Sequence, residues 1–400
     1  MIIGILKETD SHFDKRVPIT PYYAKKIKAL YPHIEIKVQP SEQRVFSNAE
    51  YENAGITLSK NLNDCDVLIG IKKPILETLI PNKTYLFFAH VAKQQASHKK
   101  YFQEISKRKI TLIDFEYFSN ENGKRLTAFG YMAGIVGTYH LINMLLKKQQ
   151  NSFLPLIENF QSAEQLIQFL KQKSIKPTKI VLTGKGKVAT GASYLLKSIG
   201  IAQVSTTDFI NNSFDKAVFC ILSESDYITH KQYNTYNKTD FRNQPKNYIS
   251  TFNRFTCIAD AYIACHYWKN TYPNYLTSSD LKTEKHKMNF IADISCDIDG
   301  PIASTLRESS HANPYFDYNP FTKKEEAPFS SNKNIHVMSI GNLPSAMPRE
   351  ASELFSKAIF DHIIPLLSAK PQHKMIQKAT ILSKGELDIN FEYLRTYLNS

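Results

Sequence analysis

The sequence predicts an α/β protein of two Rossmann-like domains, each a parallel sheet flanked by helices. Three observations carry this expectation. Short β-rich runs alternate with helix-like stretches from the first residue onward. A strand runs through glycines straight into a helix near residue 184. The same α/β alternation resumes in the second half, without an internal repeat or a long biased tract.

In the first half the strands read from "IIGIL", "IEIKV", "DVLIGI", "YLFFAHV" and "ITLIDF", and the helices lie near 21 to 30, 48 to 55 and 95 to 107. In such sheets the ligand crevice lies outside the carboxyl ends of the strands. Lys72 and His90 each stand at such an end. Arg16, in the loop after the first strand, and Glu116, after "ITLIDF", line the same rim. Four titratable groups thus converge without any being forced into the core.

The segment "FGYMAGIVGTYHLINMLLKK", 129 to 148, reads as a long helix whose Ala133, Gly134 and Gly137 permit close packing, and it carries the chain out of the first domain. Ser162 with Gln165 forms a capping-box pattern that opens another helix. Then "KIVLTGKGKVATGASYLLKSIG" supplies a GxGxxA fingerprint. Gly184 makes the tight turn, Gly186 lets the backbone approach a pyrophosphate, and Ala189 allows close helix packing, with the phosphates on the helix N-terminus. "AQVSTTDF" places Asp208 at the end of the next expected strand, 24 residues after Gly184. A carboxylate there accepts ribose hydroxyls and repels a 2′-phosphate, which favours NAD over NADP, although Lys185 and Lys187 pull the other way.

Around 211 to 258, "AVFCIL" is a further strand followed by a polar, Tyr- and Asn-rich stretch, expected to be an inserted surface arm, a subunit contact or a lid. "AYIACHYW", "MNFIADISCDIDGP" and "NIHVMSI" complete the strands. "DISCDIDG" lacks the ligand spacing and closing Glu of a calcium loop, so no metal is expected. The helical pattern of "REASELFSKAIFDHIIPLL" returns the chain to the first domain. The expected domains are therefore 1–130 plus 345–400, for substrate, and 131–344, for nucleotide.

With 42% apolar residues the chain can bury large cores. Its net charge of +13 comes from 50 Lys and Arg against 37 Asp and Glu, but the lysines are scattered through ordinary helix patterns. That distribution suits solubility and acidic small molecules and argues against nucleic acid. Five cysteines without CxxC spacing suit a reducing cytoplasm and disfavour zinc. The N-terminus lacks signal-peptide character and no apolar run is long enough for a membrane span, so a cytoplasmic location is expected.

"LKETDSHFDKRVPITP", "GIKKP" followed by "LFFAHVAKQQ", "GKRLTAFGYMAG", "DISCDIDG", "YFDYNP" and "LPSAMPREASELF" together resemble the lysine-forming saccharopine dehydrogenases, a group set beside alanine dehydrogenase and the nucleotide-binding part of transhydrogenase. The resemblance runs from about residue 1 to 367. It implies an active site in the cleft between the two domains, and NAD-dependent oxidative cleavage of saccharopine to lysine and 2-oxoglutarate, or the reverse. It implies that Lys72 and His90 are the acid–base pair, that Arg16, Lys93 and Arg125 bind substrate carboxylates, and that Glu116 tunes the neighbouring charges. It further implies that Asp297 faces the nicotinamide and that the "NLP" turn, with Asn342 and Leu343, contributes to the cofactor site. Two positions depart from the pattern: Lys73 stands where the family keeps Glu, and Gly341 where saccharopine dehydrogenases tend to carry Asp. A second base at position 73 should lower the pKa of Lys72.

An amino acid bearing several carboxylates suits such a basic rim. Two alternatives remain: an alanine-type dehydrogenase, which needs one carboxylate clamp, and a catalytically silent NAD-binding regulator. A monomer or homodimer is expected.

Overall fold

The computed structural model describes residues 1–9, 14–121, 123–283, 285–367, 369 and 373–399, and the side chain of Lys93 lies outside the described residues. The chain forms two compact units, Met1–Phe129 with Pro348–Ser400, and Gly130–Met347.

The first unit is built on β1 (Ile2–Ile5), β2 (Glu35–Val38), β3 (Thr57–Leu58), β4 (Val67–Lys72), β5 (Thr84–Phe88) and β6 (Thr111–Asp114), all parallel, in spatial order β3-β2-β1-β4-β5-β6. Residues 67–71 are all buried, as expected of a strand covered on both faces. Beyond β6, Thr380–Ser383 and Glu386–Leu387 add two antiparallel strands that the sequence pattern did not reveal. The order of strands reverses between β1 and β4, so the switch point, where the crevice of a doubly wound sheet opens, lies at the ends of these two strands.

Helix Pro21–Leu30 starts on Pro21, whose fixed φ suits the first turn, and buries Ala24 and Ile27. The segment before it is anchored to helix Pro348–His362: Val17 N–H donates to Ser352 Oγ (2.9 Å), Thr20 N–H to Ser356 Oγ (3.0 Å), and Ser356 Oγ donates to the Pro18 carbonyl (3.0 Å). Phe355 on the same helix stacks on Phe129 (4.4 Å) and meets Phe88 and Phe115 edge-on or tilted, so one aromatic cluster supports the strand ends.

The second unit contains β7 (Lys179–Thr183), β8 (Ala202–Gln203), β9 (Val218–Leu222), a small ribbon of β10 (Ile228–His230) and β11 (Tyr248–Ser250), then β12 (Ala261–Ala264), β13 (Phe290–Asp293), β14 (Tyr315–Asn319), β15 (Lys324–Glu326) and β16 (Ile335–Met338). Its main sheet runs β8-β9-β7-β12-β13-β16-β14-β15, parallel as far as β16 and antiparallel beyond. Here the switch point falls between β7 and β12. Helix Gly130–Gln150 packs closely on helix Lys187–Ser198: a Cβ on Gly191 would lie 2.9 Å from the Tyr131 carbonyl carbon, and one on Gly134 would overlap the Val188 backbone.

Residues 211–258 do not form the expected arm. β9 lies within the main sheet, and Tyr227, Phe241, Tyr248, Phe252 and Phe255 are buried in the same core as Tyr262 and Ile291. The polar residues of the stretch hide this, because the buried positions are aromatic and spaced by short turns rather than by a helix or strand period.

Candidate functional site

At the switch point of the first unit, the chain leaving β1 places Glu8 under the end of β4. Its carboxylate accepts the backbone N–H of Ile71 (2.7 Å) and of Lys72 (2.9 Å). Burial pushes the Glu8 carboxyl up to about 7, against the lowering effect of these two donors. A titrating acid therefore fixes the backbone at Lys72, a contact invisible in the sequence because its partners are 63 and 64 residues apart. Lys73 turns its ammonium to the ring of Tyr101, 5.4 Å from the centroid.

Arg16 is 3% exposed and lies over the Phe129 ring, 4.2 Å from its centroid. Its Nε and Nη2 donate to the two oxygens of Asp14 at 2.9 and 2.6 Å. Burial alone would raise the Asp14 carboxyl, and the bidentate guanidinium more than offsets this, with Lys72 adding to the effect, so it is held below the usual range. One edge of the expected clamp is thus occupied by an internal acid that sequence reasoning missed.

His90 follows β5 with φ +56°, and Gln94 adopts φ +53°, so two left-handed residues bracket the turn Val91–Lys93. Such conformations in non-glycine residues persist where surrounding contacts hold them. The imidazole stacks on Phe88 at 6.2 Å, and its Nδ1 faces Glu116 Oε1 at 3.6 Å, an ion-pair distance too long for a hydrogen bond. Glu116 also accepts Arg125 Nη2 at 2.8 Å. Burial raises the Glu116 carboxyl, but the close imidazole and guanidinium outweigh it and bring it to about 2. Beneath lies Asp114, fully buried, whose oxygens accept Ala89 N–H (3.1 Å) and Glu116 N–H (2.8 Å). Burial, partly countered by these donors, lifts Asp114 to about 6. The structure therefore joins His90, Glu116 and Arg125 into one chain of contacts, and Lys72, Glu8, Asp14 and Arg16 into a neighbouring one at the ends of adjacent strands.

In the second unit, Gly184 has φ +94°, and a Cβ there would lie 2.5 Å from the Cys265 carbonyl oxygen. Only glycine fits that turn. Gly186 caps helix Lys187–Ser198, and a Cβ there would meet nothing within 4 Å, so the cap faces open space. Ala189, in the first turn of that helix, is buried. These residues fit a dinucleotide: a glycine turn at positive φ and an open cap at the start of a 12-residue helix, whose dipole favours an anion. Beside the turn, His266 Nδ1 is 2.9 Å from Thr183 Oγ1 and 3.1 Å from the Tyr262 hydroxyl, and burial lowers the imidazole to about 3, so it is neutral.

Asp208 requires a correction. β8 ends at Gln203, and Asp208 lies in the short helix Thr206–Asn211, where its carboxylate accepts the Ser205 hydroxyl (2.6 Å) and its N–H donates to Ser205 Oγ (3.0 Å). A Ser cap with an acid three residues on forms a helix start, which overrides the extended pattern of "AQVSTTDF". The carboxylate expected at the strand end is absent from it, and with it goes the argument for NAD over NADP.

Asp297 lies in the tight loop after β13, between Cys296 and Asp299, both with φ +52°. Buried Asp293 organises that loop, accepting from Ser295 N–H, Cys296 N–H and the hydroxyls of Ser295 and Thr305. Asn342 precedes the turn Leu343–Ala346, and its carbonyl accepts the Ser345 hydroxyl at 2.7 Å with His311 Nε2 at 3.2 Å. Leu343 is buried, so its side chain serves the core.

Residues 4–136 match the family described as "Alanine dehydrogenase/PNT, N-terminal domain". Over 98% of its length the chain is 27% identical to alpha-aminoadipic semialdehyde synthase of Arabidopsis thaliana and 25% identical to the mitochondrial alpha-aminoadipic semialdehyde synthase of Rattus norvegicus. It spans only 41% and 47% of these two relatives. It is 26% identical to the saccharopine dehydrogenase (NAD+, L-lysine-forming) of Neurospora crassa, over 90% of each chain. The fold is shared with an L-alanine dehydrogenase (TM-score 0.65, 15% identity, 99% of each chain) and a transhydrogenase from Sinorhizobium meliloti (0.62, 13% identity, 97% of this chain and 100% of that one). The likeness read from the sequence is thus borne out, as is the α/β class with two mostly parallel sheets. Among the described residues no helix is long and apolar enough to cross a membrane.

Proposed function

We propose that this homologue of the lysine-forming saccharopine dehydrogenases is a nicotinamide-dependent oxidoreductase that interconverts saccharopine with lysine and 2-oxoglutarate. The observation that carries this reading is the arrangement at the ends of β4, β5 and β6, where an amine base, an imidazole paired with a carboxylate, and guanidinium groups meet on one rim.

A bound nicotinamide supplies or accepts the hydride. Gly184, Gly186 and the start of the following helix would hold its phosphates. Lys72 takes the proton from the substrate's secondary amine, so that the nitrogen is unprotonated when the C–H bond reacts. His90, held by Glu116, moves protons for the water that adds to the resulting imine and for the collapse to amine and oxo acid. Because Arg16 is already engaged with Asp14, Arg125 is the better carboxylate clamp: it is 39% exposed at the side chain and its Nε has no hydrogen-bond partner among the described residues.

The test is a panel at 340 nm: the purified chain with saccharopine and NAD or NADP, and with NADH or NADPH plus 2-oxoglutarate and lysine, or pyruvate and ammonia. Turnover with the saccharopine or lysine partners upholds the proposal. Turnover with pyruvate and ammonia alone overturns it, as does silence with every pair.

A further inference from the structure

We propose that Glu8 is a positioning residue for the amine base: its carboxylate holds a bulge in β4 that decides which of two consecutive lysines, Lys72 or Lys73, stands beside Asp14 and Arg16. The proposal rests on the reading of Lys72 as the base given above, and all of its parts lie within the first unit.

The placement follows from strand pairing. β1 keeps step with β4 as far as Ile5 against Ile69, after which Leu6 N–H donates to the Ile69 carbonyl (2.9 Å). On its other edge β4 places two residues, Gly70 and Ile71, between the pairs Ile69–Leu86 and Lys72–Phe88, where β5 places one, Phe87. An extra residue of this kind is a β-bulge, which bends the strand and re-aims the side chains beyond it. From the chain leaving β1, two side chains hold the bulge and the turn that follows: Glu8 accepts the N–H groups of Ile71 (2.7 Å) and Lys72 (2.9 Å), and Thr9 Oγ1 accepts that of Ile75 (3.0 Å).

The consequence falls on the two lysines. Side chains alternate between the faces of a strand, so a shift of one residue exchanges them. With the bulge in place, Lys73 turns to the Tyr101 ring, 5.4 Å from its centroid. Lys72 instead lies near enough to Asp14 to join Arg16 in outweighing the effect of burial on that carboxyl. In an unbroken strand Lys73 would take the side that Lys72 now has. The two residues are identical in chemistry, so the backbone alone makes the choice. Both oxygens of Glu8 are needed for it: an ionised carboxylate accepts two N–H groups, whereas a carboxamide accepts with one atom and meets the second N–H with another donor.

E8Q and E8A test this against D66N, which removes a comparable bond at the opposite end of the same strand, where Asp66 accepts Ile2 N–H (2.7 Å). The assay runs at about pH 8.5, above the value of about 7 to which burial raises the Glu8 carboxyl. E8Q should lower kcat about tenfold or more, since misplacing a reacting group by about 1 Å costs on the order of 100-fold. KM for 2-oxoglutarate and the Kd for the reduced nicotinamide should stay within about twofold, and D66N should match the wild type in all three. A kcat loss below about threefold in E8Q, or an equal loss in D66N, overturns the proposal. Acetylation located by fragment mass spectrometry reads the ratio of Lys72 to Lys73 labelling without turnover. Released from its place beside Asp14, Lys72 should gain on Lys73 by about threefold or more in E8Q and E8A, and by less than about twofold in D66N. E8Q keeps the bulk of the side chain and carries both readings where E8A loses stability in urea. The gain supports the positioning role even if no substrate turns over, in which case the assigned reaction alone fails; a ratio in E8Q within about twofold of the wild type overturns the role.

Discussion

Gly184→Ala and Gly186→Ala lie two residues apart and should fail in opposite ways. At Gly184 the backbone has φ +94°, where a side chain costs about 1–3 kcal/mol in strain. The new methyl would also stand 2.5 Å from the Cys265 oxygen and 2.9 Å from its carbon, backbone atoms that cannot swing aside. Overpacking of this kind adds roughly 1–3 kcal/mol, so the variant should lose about 2–6 kcal/mol of stability. Gly186 has φ −85° and open space around its Cβ position, so Ala there should leave the denaturant midpoint unchanged. Its methyl would instead stand where a pyrophosphate meets the helix start. Loss of one charge-assisted hydrogen bond, about 1.5–3 kcal/mol, should weaken NADH binding roughly 10- to 100-fold. Urea titration and NADH fluorescence measure the two effects separately. A Gly186→Ala protein that binds NADH as wild type does would refute the assignment of this loop to the phosphates, and a fully stable Gly184→Ala protein would refute the account of the turn.

Replacing Lys72 by Met should leave NADH binding intact and lower turnover by two or more orders of magnitude; a loss below threefold removes Lys72 from the mechanism. Arg16→Met should destabilise the first unit by about 3–5 kcal/mol, because it removes the bidentate guanidinium from the Asp14 carboxylate, whose side chain is 0% exposed, and unchanged urea stability would show that the pair is not structural. Asp114 has a folded value of about 6 above its ordinary 3.8, so the native state holds the extra proton between these values. Its contribution is therefore complete below about pH 4 and is lost as pH rises through about 6, on the order of 2–3 kcal/mol. Asp114→Asn should flatten the fall in stability between pH 4 and 7, and an unaltered slope would contradict the assignment. Glu116 runs the other way: its contribution is present above pH 4.5 and is lost as pH falls toward about 2.

The parts legible in the sequence were those fixed by local pattern. Strands buried on both faces, such as "DVLIGI", give unbroken apolar runs, and the ends of those runs located Lys72 and His90. The glycine turn was legible because φ > 0 and an open helix cap demand particular residues in sequence. What escaped was held by contacts distant along the chain. Glu8, Asp14 and Asp114 act on backbone groups or side chains whose proximity depends on strand order. Asp208 was misplaced because a local cap outcompeted a weak, two-residue strand. The terminal strand pair Thr380–Ser383 and Glu386–Leu387 is short and lies at a sheet edge, where little apolar periodicity is needed.

The central claim is that this chain joins or separates lysine and 2-oxoglutarate through a secondary amine. Incubating it with lysine labelled with 15N at the ε-amino group, 2-oxoglutarate and NADPH or NADH, then weighing the product by mass spectrometry, tests this directly. The account predicts one product containing both carbon skeletons and the labelled nitrogen, formed in equal amount to the reduced nicotinamide consumed. Consumption of the nucleotide without such a product, or no consumption with either nucleotide, would contradict it.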